Sequence, residues 1–241
     1  MTADPAREAA ATRLLVSVRD AREAELAAAA GPYLIDIKDP ANGALGALPP
    51  AAIRAIVARL GSRSETSAVA GEPDSWAALV EAVRAVAATG VGMVKVAAPA
   101  AAGAPPASLG GRLSGLPCPV VLVRFAEDGL ESLDVVGLAA AGFKGVMIDT
   151  RRKDGTGVLD RLALPALAGF VRAGRAAGLM TGLAGSLRLS DIPVLAPLRP
   201  TYLGFRGGLC RSGRRRDRLD PARLADALAV LASSRHDRAA A

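Results

Sequence analysis

Of the thirty Lys and Arg residues in this 241-residue chain, only Lys38, Lys95, Lys144 and Lys153 are lysine. Guanidinium cannot lose a proton and attack a carbonyl, whereas an amine can. In a chain rich in Ala, Arg and Gly, arginine serves wherever a bare cation suffices, so the remaining lysines are worth placing. In YLIDIKDP, strand alternation turns Leu34, Asp36 and Lys38 to one face and Ile35 and Ile37 to the other. In GVGMVKVAAP, Lys95 shares a face with Met93, opposite Val94 and Val96. In KGVMIDTRRKDG, Asp149 shares a face with Met147, and Lys153 follows four residues later in the loop that leaves the strand. Amines and carboxylates on inward faces are costly unless paired or functional. A buried salt-bridge network of Asp36, Lys38, Lys95 and Asp149 is the structural reading. The functional one is carbonyl chemistry: an amine with a lowered pKa forms a Schiff base, and the iminium acidifies the adjacent C–H. A second amine and the carboxylates then move protons.

These residues need a scaffold that brings distant strand ends together. Short β-branched runs alternate eight times with Ala/Leu-rich helical stretches. Strands are expected at Leu14–Val18, Tyr33–Lys38, Thr66–Ala70, Met93–Ala97, Val120–Phe125, Gly145–Thr150, Met180–Ala184 and Tyr202–Arg206. Helices are expected near Ala21–Ala30, Pro50–Leu60, Ser75–Thr89, Asp134–Ala141, Pro165–Ala177, Ser190–Ala196 and Pro221–Ala232. The Ala-, Gly- and Pro-rich stretch Ala98–Leu116 is the weakest helical unit, with Ala100–Pro106 a low-complexity loop. Gly31, Gly61, Gly90, Gly142 and Gly178 fit the ends of helices. Repeated strand–helix units imply a parallel sheet, and eight of them close as a single-domain (β/α)8 TIM barrel over residues 13–232. Residues 1–12 and 233–241 read as flexible termini. An open doubly wound sheet is the alternative, but no GxGxxG follows the first strand. In the barrel, Lys38, Lys95 and Lys153 fall at the C-terminal ends of strands two, four and six, where barrel active sites are built. Lys144 lies on the opposite rim as ordinary surface.

The last two strands end in glycine-rich turns, GLAGSL and GFRGGLC. Backbone N–H groups of Gly185, Ser186, Gly207 and Gly208, with Arg206 adding a fork, are the expected cradle for a substrate phosphate. The cluster Arg211, Arg214, Arg215, Arg216 and Arg218 reads either as a solvated loop or as a further attraction for an anionic small substrate.

Composition removes other classes. Hydrophobic residues make up 51% and charged residues 22%, which excludes disorder over the whole length. The single histidine, His236, lies near the C-terminus, so Ser-His-Asp triads and His-rich zinc sites are out of reach. Cys118 and Cys210 form no disulfide framework or CxxC pair, and Cys210 has no histidine to activate it. Trp76 reads as packing and Asp154-Gly155 as a turn. The net charge of +7 invites nucleic acid, but with 3% aromatics there is no stacking platform, so no nucleic-acid partner is expected. Every apolar run is too short to span a membrane, and no secretory signal is visible. The expectation is a cytoplasmic protein without metal or cofactor, with a homo-oligomer admitted.

The segments LLVSVRDAREAELAAAAGPYLIDIKDPANGALGA, MVKVA, MIDTRRKDG, GLAGS and GFRGGLCRSGRRRDRLD resemble the (5-formylfuran-3-yl)methyl phosphate synthases. This family is also called 4-(hydroxymethyl)-2-furancarboxaldehyde phosphate synthase. The resemblance covers about residues 13–232. It implies a lyase or synthase that joins two glyceraldehyde 3-phosphate molecules into a furan aldehyde phosphate, losing phosphate and water, in methanofuran biosynthesis and one-carbon metabolism. By position it makes Lys38 the Schiff-base lysine and Lys95 the proton acceptor, with Asp36, Asp149 and Lys153 as supporting polar residues. The rival readings are a conventional class I aldolase acting on triose phosphates and a non-catalytic phosphometabolite-binding barrel.

Overall fold

In the computed structural model, which describes residues 11–99 and 103–236, alternation of apolar and polar positions resolves into eight strands. These are β1 (Arg13–Val18), β2 (Leu34–Ile37), β3 (Thr66–Val69), β4 (Met93–Ala97), β5 (Val120–Phe125), β6 (Gly145–Asp149), β7 (Met180–Leu183) and β8 (Tyr202–Phe205). They pair in parallel in sequence order, and β8 returns to β1 to close the barrel. The helices are α1 (Ala21–Ala30), α2 (Pro50–Leu60), α3 (Trp76–Ala87), α4 (Leu109–Ser114), α5 (Val135–Ala140), α6 (Val158–Arg161), α7 (Leu164–Ala176), α8 (Ile192–Leu195) and α9 (Pro221–His236). Each strand sits within one or two residues of its expected place. Lys38 and Arg206 lie just past the strands they were assigned to.

The helices carry readable start and stop signals. Asp20 caps α1 by accepting from the Glu23 amide at 2.9 Å, and Ser75 caps α3 by accepting from the Ala78 amide at 3.2 Å. The five glycines expected at helix ends all have positive φ. Where the sequence was weakest, so is the structure: among its described residues the β4–β5 connection contains only the six-residue α4. The single helix expected over Ser190–Ala196 is broken into two 3-10 turns around the four-residue α8, because Pro193 and Pro197 remove backbone donors. The ends are more ordered than their polarity suggested. Thr12 is buried and donates to the Ala196 carbonyl, and α9 continues beyond Ala232 to His236. Ser233 and Ser234 bond back to the Ala229 and Val230 carbonyls, so a stretch that reads as a polar tail is helical. Residues 1–10, 100–102 and 237–241 lie outside the described residues. No helix among the described residues is long and apolar enough to cross a membrane.

The core has two shells. Leu14, Val16, Ile35, Ile37, Val94, Val96, Val146 and Ile148 face outward and pack under the helices. Leu15, Leu34, Met93, Val121, Val123, Met147 and Tyr202 fill the barrel interior. The alternation expected for β2, β4 and β6 is therefore the one observed. Tyr202 crosses the interior without solvent exposure, and the neighbouring strand yields to it: a Cβ on Gly182 would lie 2.4 Å from the Tyr202 ring and 2.8 Å from Met147 Cβ. Gly182→Ala should therefore destabilise the chain by about 1–3 kcal/mol through overpacking. A lower urea midpoint with unchanged m-value is the expected record, and an unaltered midpoint would contradict this packing.

Candidate active site

At the C-terminal end of the barrel lies a cavity of about 1150 Å³, floored by strand-end side chains and walled by the loops after β2, β6, β7 and β8. Three of the expected lysines line it, Lys38, Lys95 and Lys153, together with Asp149. Lys144 is exposed before β6, on the other rim.

The deepest element is a charged pair. Lys95 Nζ lies 2.8 Å from Asp36 Oδ2, with side chains no more than 2% exposed. Asp36 also accepts from Ser17 Oγ at 3.0 Å and from Ser67 Oγ at 2.7 Å. Burial alone would raise the Asp36 carboxyl, but the charges of Lys95 and Lys38 and the bonds from Lys95 and Ser67 hold it below the usual carboxylate value. Ser17 and Ser67 escaped the sequence reading, although inward alternation on β1 and β3 marks them. Register places both beside Asp36 in the neighbouring strands.

Beside this pair sits a less buried one. Asp149 Oδ1 accepts from Lys153 Nζ at 2.7 Å and from the Thr150 amide at 2.8 Å, and Lys153 also reaches Thr150 Oγ1 at 3.1 Å. Burial would lift the Asp149 carboxyl; Lys153 and Lys38 keep it low. Lys38 Nζ stands 3.9 Å from Asp149 Oδ2, beyond hydrogen-bonding distance. Burial therefore dominates and pushes the Lys38 amine down to about 8, with Asp149 and Asp36 pulling it back up and Lys95 and Lys153 adding to the fall. Lys38, whose carboxylate is distant, yields a neutral amine near physiological pH.

The glycine-rich turns meet beside this cluster. A Cβ on Gly208 would sit 2.5 Å from the Leu187 carbonyl oxygen, so glycine is what lets the β7 and β8 loops lie against each other. Gly185 has φ +111 and the following Ser186 φ +51, a left-handed conformation uncommon outside glycine and characteristic of ligand-holding turns. The amides of Gly185, Ser186, Gly207 and Gly208 donate to no carbonyl among the described residues, and all four residues line the cavity. They form a nest of donors suited to a phosphate.

Arg206 departs from expectation. It points inward from β8, but all five of its N–H groups are taken by protein acceptors: Ser17 O, Glu23 Oε1 and Oε2, Arg215 O and Asp217 O. It is a strut of the β8 loop, with no donor left for a phosphate fork. Its partner Glu23, 2% exposed in the first turn of α1, was invisible in the sequence because DAREAE reads as a solvated, capped helix start. The basic cluster also resolves: Arg214, Arg215 and Arg216 line the cavity. Cys210 is buried, its thiol pushed up to about 11 by burial, consistent with a filler. Trp76 packs against Phe143, and Asp154 closes its turn by accepting from the Thr156 amide.

Residues 14–228 match the family model described as 4-HFC-P synthase. A Methylorubrum extorquens protein provisionally named (5-formylfuran-3-yl)methyl phosphate synthase is 53% identical over 228 residues, covering 94% of this chain and 95% of that relative. The (5-formylfuran-3-yl)methyl phosphate synthase of Methanopyrus kandleri is 34% identical over 216 residues, 84% of this chain and 91% of its own. Among solved structures, phosphoribosyl anthranilate isomerase from Thermus thermophilus superposes with a TM-score of 0.62 at 17% identity, covering 92% of this chain and 99% of that one, a likeness of fold alone.

Because Lys38 is inert as an ammonium and reactive as an amine, labelling of Lys38 by an amine-acylating reagent should rise with pH through a midpoint near 8. Asp149→Asn removes a charge that favours the ammonium, so the midpoint should move lower. Peptide mapping of the labelled protein checks both. A midpoint above 10, typical of an exposed lysine, would refute the burial argument.

Proposed function

The chain belongs to the 4-HFC-P synthase family, and from that premise we propose that it condenses two molecules of glyceraldehyde 3-phosphate into (5-formylfuran-3-yl)methyl phosphate. One phosphate and two waters leave, so the atoms balance. The observation that carries this reading is Lys38, an amine held near 8 in the mouth of a barrel beside a second amine and two carboxylates.

The steps follow from the arrangement. Lys38 Nζ adds to the carbonyl carbon of one triose phosphate. The Lys95 ammonium, paired with Asp36 at 2.8 Å, protonates the departing hydroxyl, and water leaves an iminium. Lys95, now neutral, accepts a proton from the adjacent carbon to give an enamine. That carbon attacks the aldehyde of the second triose, as in a class I aldolase. Dehydration, ring closure and loss of one phosphate then yield the furan, whose aromatic stability draws the sequence forward. Asp149 and Lys153 relay protons at the less buried pair. The amides of Gly185, Ser186, Gly207 and Gly208 hold the retained phosphate. No cofactor or metal enters these steps. The partner is a small phosphorylated aldehyde, with no nucleic acid or membrane involved. The same reading places the enzyme in the cytoplasm, as a lyase of methanofuran biosynthesis.

Reduction with borohydride in the presence of glyceraldehyde 3-phosphate should leave a mass adduct that peptide mapping places on Lys38. Without reductant, a near-ultraviolet furan band should grow. Lys38→Arg keeps the charge and should abolish both signals. Lys95→Met should keep a trappable adduct while lowering furan formation roughly 10²–10⁴-fold, the usual contribution of a positioned proton-transfer group. An adduct without the band in the unaltered chain would make it an ordinary aldolase, and full turnover by Lys38→Arg would remove the covalent step.

A further inference from the structure

The glycine amides account for one phosphate, but two trioses bring two. The arginine-rich loop after β8 forms a strap across the barrel mouth. It is pinched at its base by pairing of Cys210 with Leu219 and by the Arg211 amide donating to the Arg218 carbonyl at 3.1 Å. Its tip reaches the β2 loop, where Arg215 Nη2 donates to Gly43 O at 2.6 Å and Arg216 Nη2 to Ala41 O at 3.4 Å. The buried Arg206–Glu23 pair holds this strap from below, since Arg206 Nε donates to the Arg215 carbonyl at 2.8 Å and Nη2 to the Asp217 carbonyl at 2.9 Å. The backbone on both sides of Arg216 is thus fixed, and the Arg215 side chain is presented into the cavity.

Two features of Arg215 point to a ligand. It lines the cavity, and its Nε is buried with no hydrogen-bond partner among the described residues, an unfavourable state for a charged donor. Its guanidinium also lies within electrostatic reach of Asp149, the residue 3.9 Å from Lys38, and lines the same cavity as Lys38. Guanidinium matches phosphate with parallel N–H groups, which an ammonium does not.

We infer that Arg215 forms a second phosphate subsite, which holds the triose phosphate that does not become covalently attached to Lys38. This inference rests on the two-triose reading. It assigns the two turns different tasks: amides after β7 and β8 grip the substrate that forms the Schiff base, and the strap orients the incoming aldehyde.

Inorganic phosphate is the probe that separates the subsite from the reaction. Calorimetric titration of the unaltered chain should show two phosphate equivalents, and Arg215→Gln should retain one. Arg211→Gln, which removes the same charge from an exposed position of the same loop outside the cavity, should retain both. In steady state, Arg215→Gln should raise the KM for glyceraldehyde 3-phosphate in furan formation roughly 10–100-fold, the loss of a charge-assisted contact. Borohydride trapping on Lys38 should continue at its former extent. Equal stoichiometry and affinity for phosphate in Arg215→Gln and the unaltered chain would overturn the inference, as would a variant whose KM and trapping both match the unaltered chain. If the unaltered chain makes no furan, the two-triose reading fails on its own, and the phosphate titration still decides whether Arg215 binds an anion. Matching melting curves for Arg215→Gln and Arg211→Gln keep a folding defect from imitating the result.

Discussion

An aspartate with no solvent contact lies near the middle of this barrel, and the mouth is arranged around keeping it ionised. Removing one partner of a buried ion pair typically costs about 3–5 kcal/mol, so the Asp36–Lys95 pair constrains its neighbours strongly. Strand register requires small hydroxyl residues at Ser17 and Ser67, one on each side, because they must reach both carboxylate oxygens without filling the space Lys95 crosses. Asp36 is thereby fully engaged, which leaves Lys38 with only the more distant Asp149. Burial sets the low pKa of Lys38, and the charges of Asp149 and Asp36 offset it only in part.

Around this floor, strands and loops divide the work. Lys38 and Asp149 sit at or just beyond strand ends and Lys95 at the centre of β4, so all three inherit the rigidity of the sheet. The glycine-rich positions lie in turns, where backbone N–H groups are free of the ladder. Ser186 at φ +51 stores backbone strain at the nest, and the surrounding contacts keep it there: Gly185 O accepts from the Val158 amide at 3.0 Å, tying the turn to α6.

Much of this was legible in the sequence because it depends on local periodicity. The two-residue alternation of YLIDIKDP, GVGMVKVAAP and KGVMIDTRRKDG is a backbone property, and it correctly sent Asp36, Lys38, Lys95 and Asp149 inward. What stayed hidden depends on contacts between residues far apart in the chain. Arg206 reads as a free cation until Glu23, 183 positions earlier, is brought against it by the closing of β8 on β1. Nothing in DAREAE distinguishes a glutamate that caps its helix from one that is buried against the far end of the chain. Arg215 was hidden for the converse reason: five arginines in one loop look alike, and only the fold shows that three of them line the cavity and that one of these keeps a buried, unpartnered Nε. The breakdown of the expected helix near Pro193 was a matter of weighing prolines more heavily than Ala/Leu content.

The contact between Glu23 and Arg206 also has a meaning for biosynthesis. The chain emerges N-terminus first, so Lys38 is synthesised long before the strand that closes the barrel. Its reactivity derives from burial, and burial is complete only when the first and last strands pair. A nascent or truncated chain therefore carries Lys38 as an ordinary solvated ammonium, indifferent to the aldehydes around it. The amine reaches its lowered pKa only in a finished molecule, one in which the turns after β7 and β8 also wall its cavity.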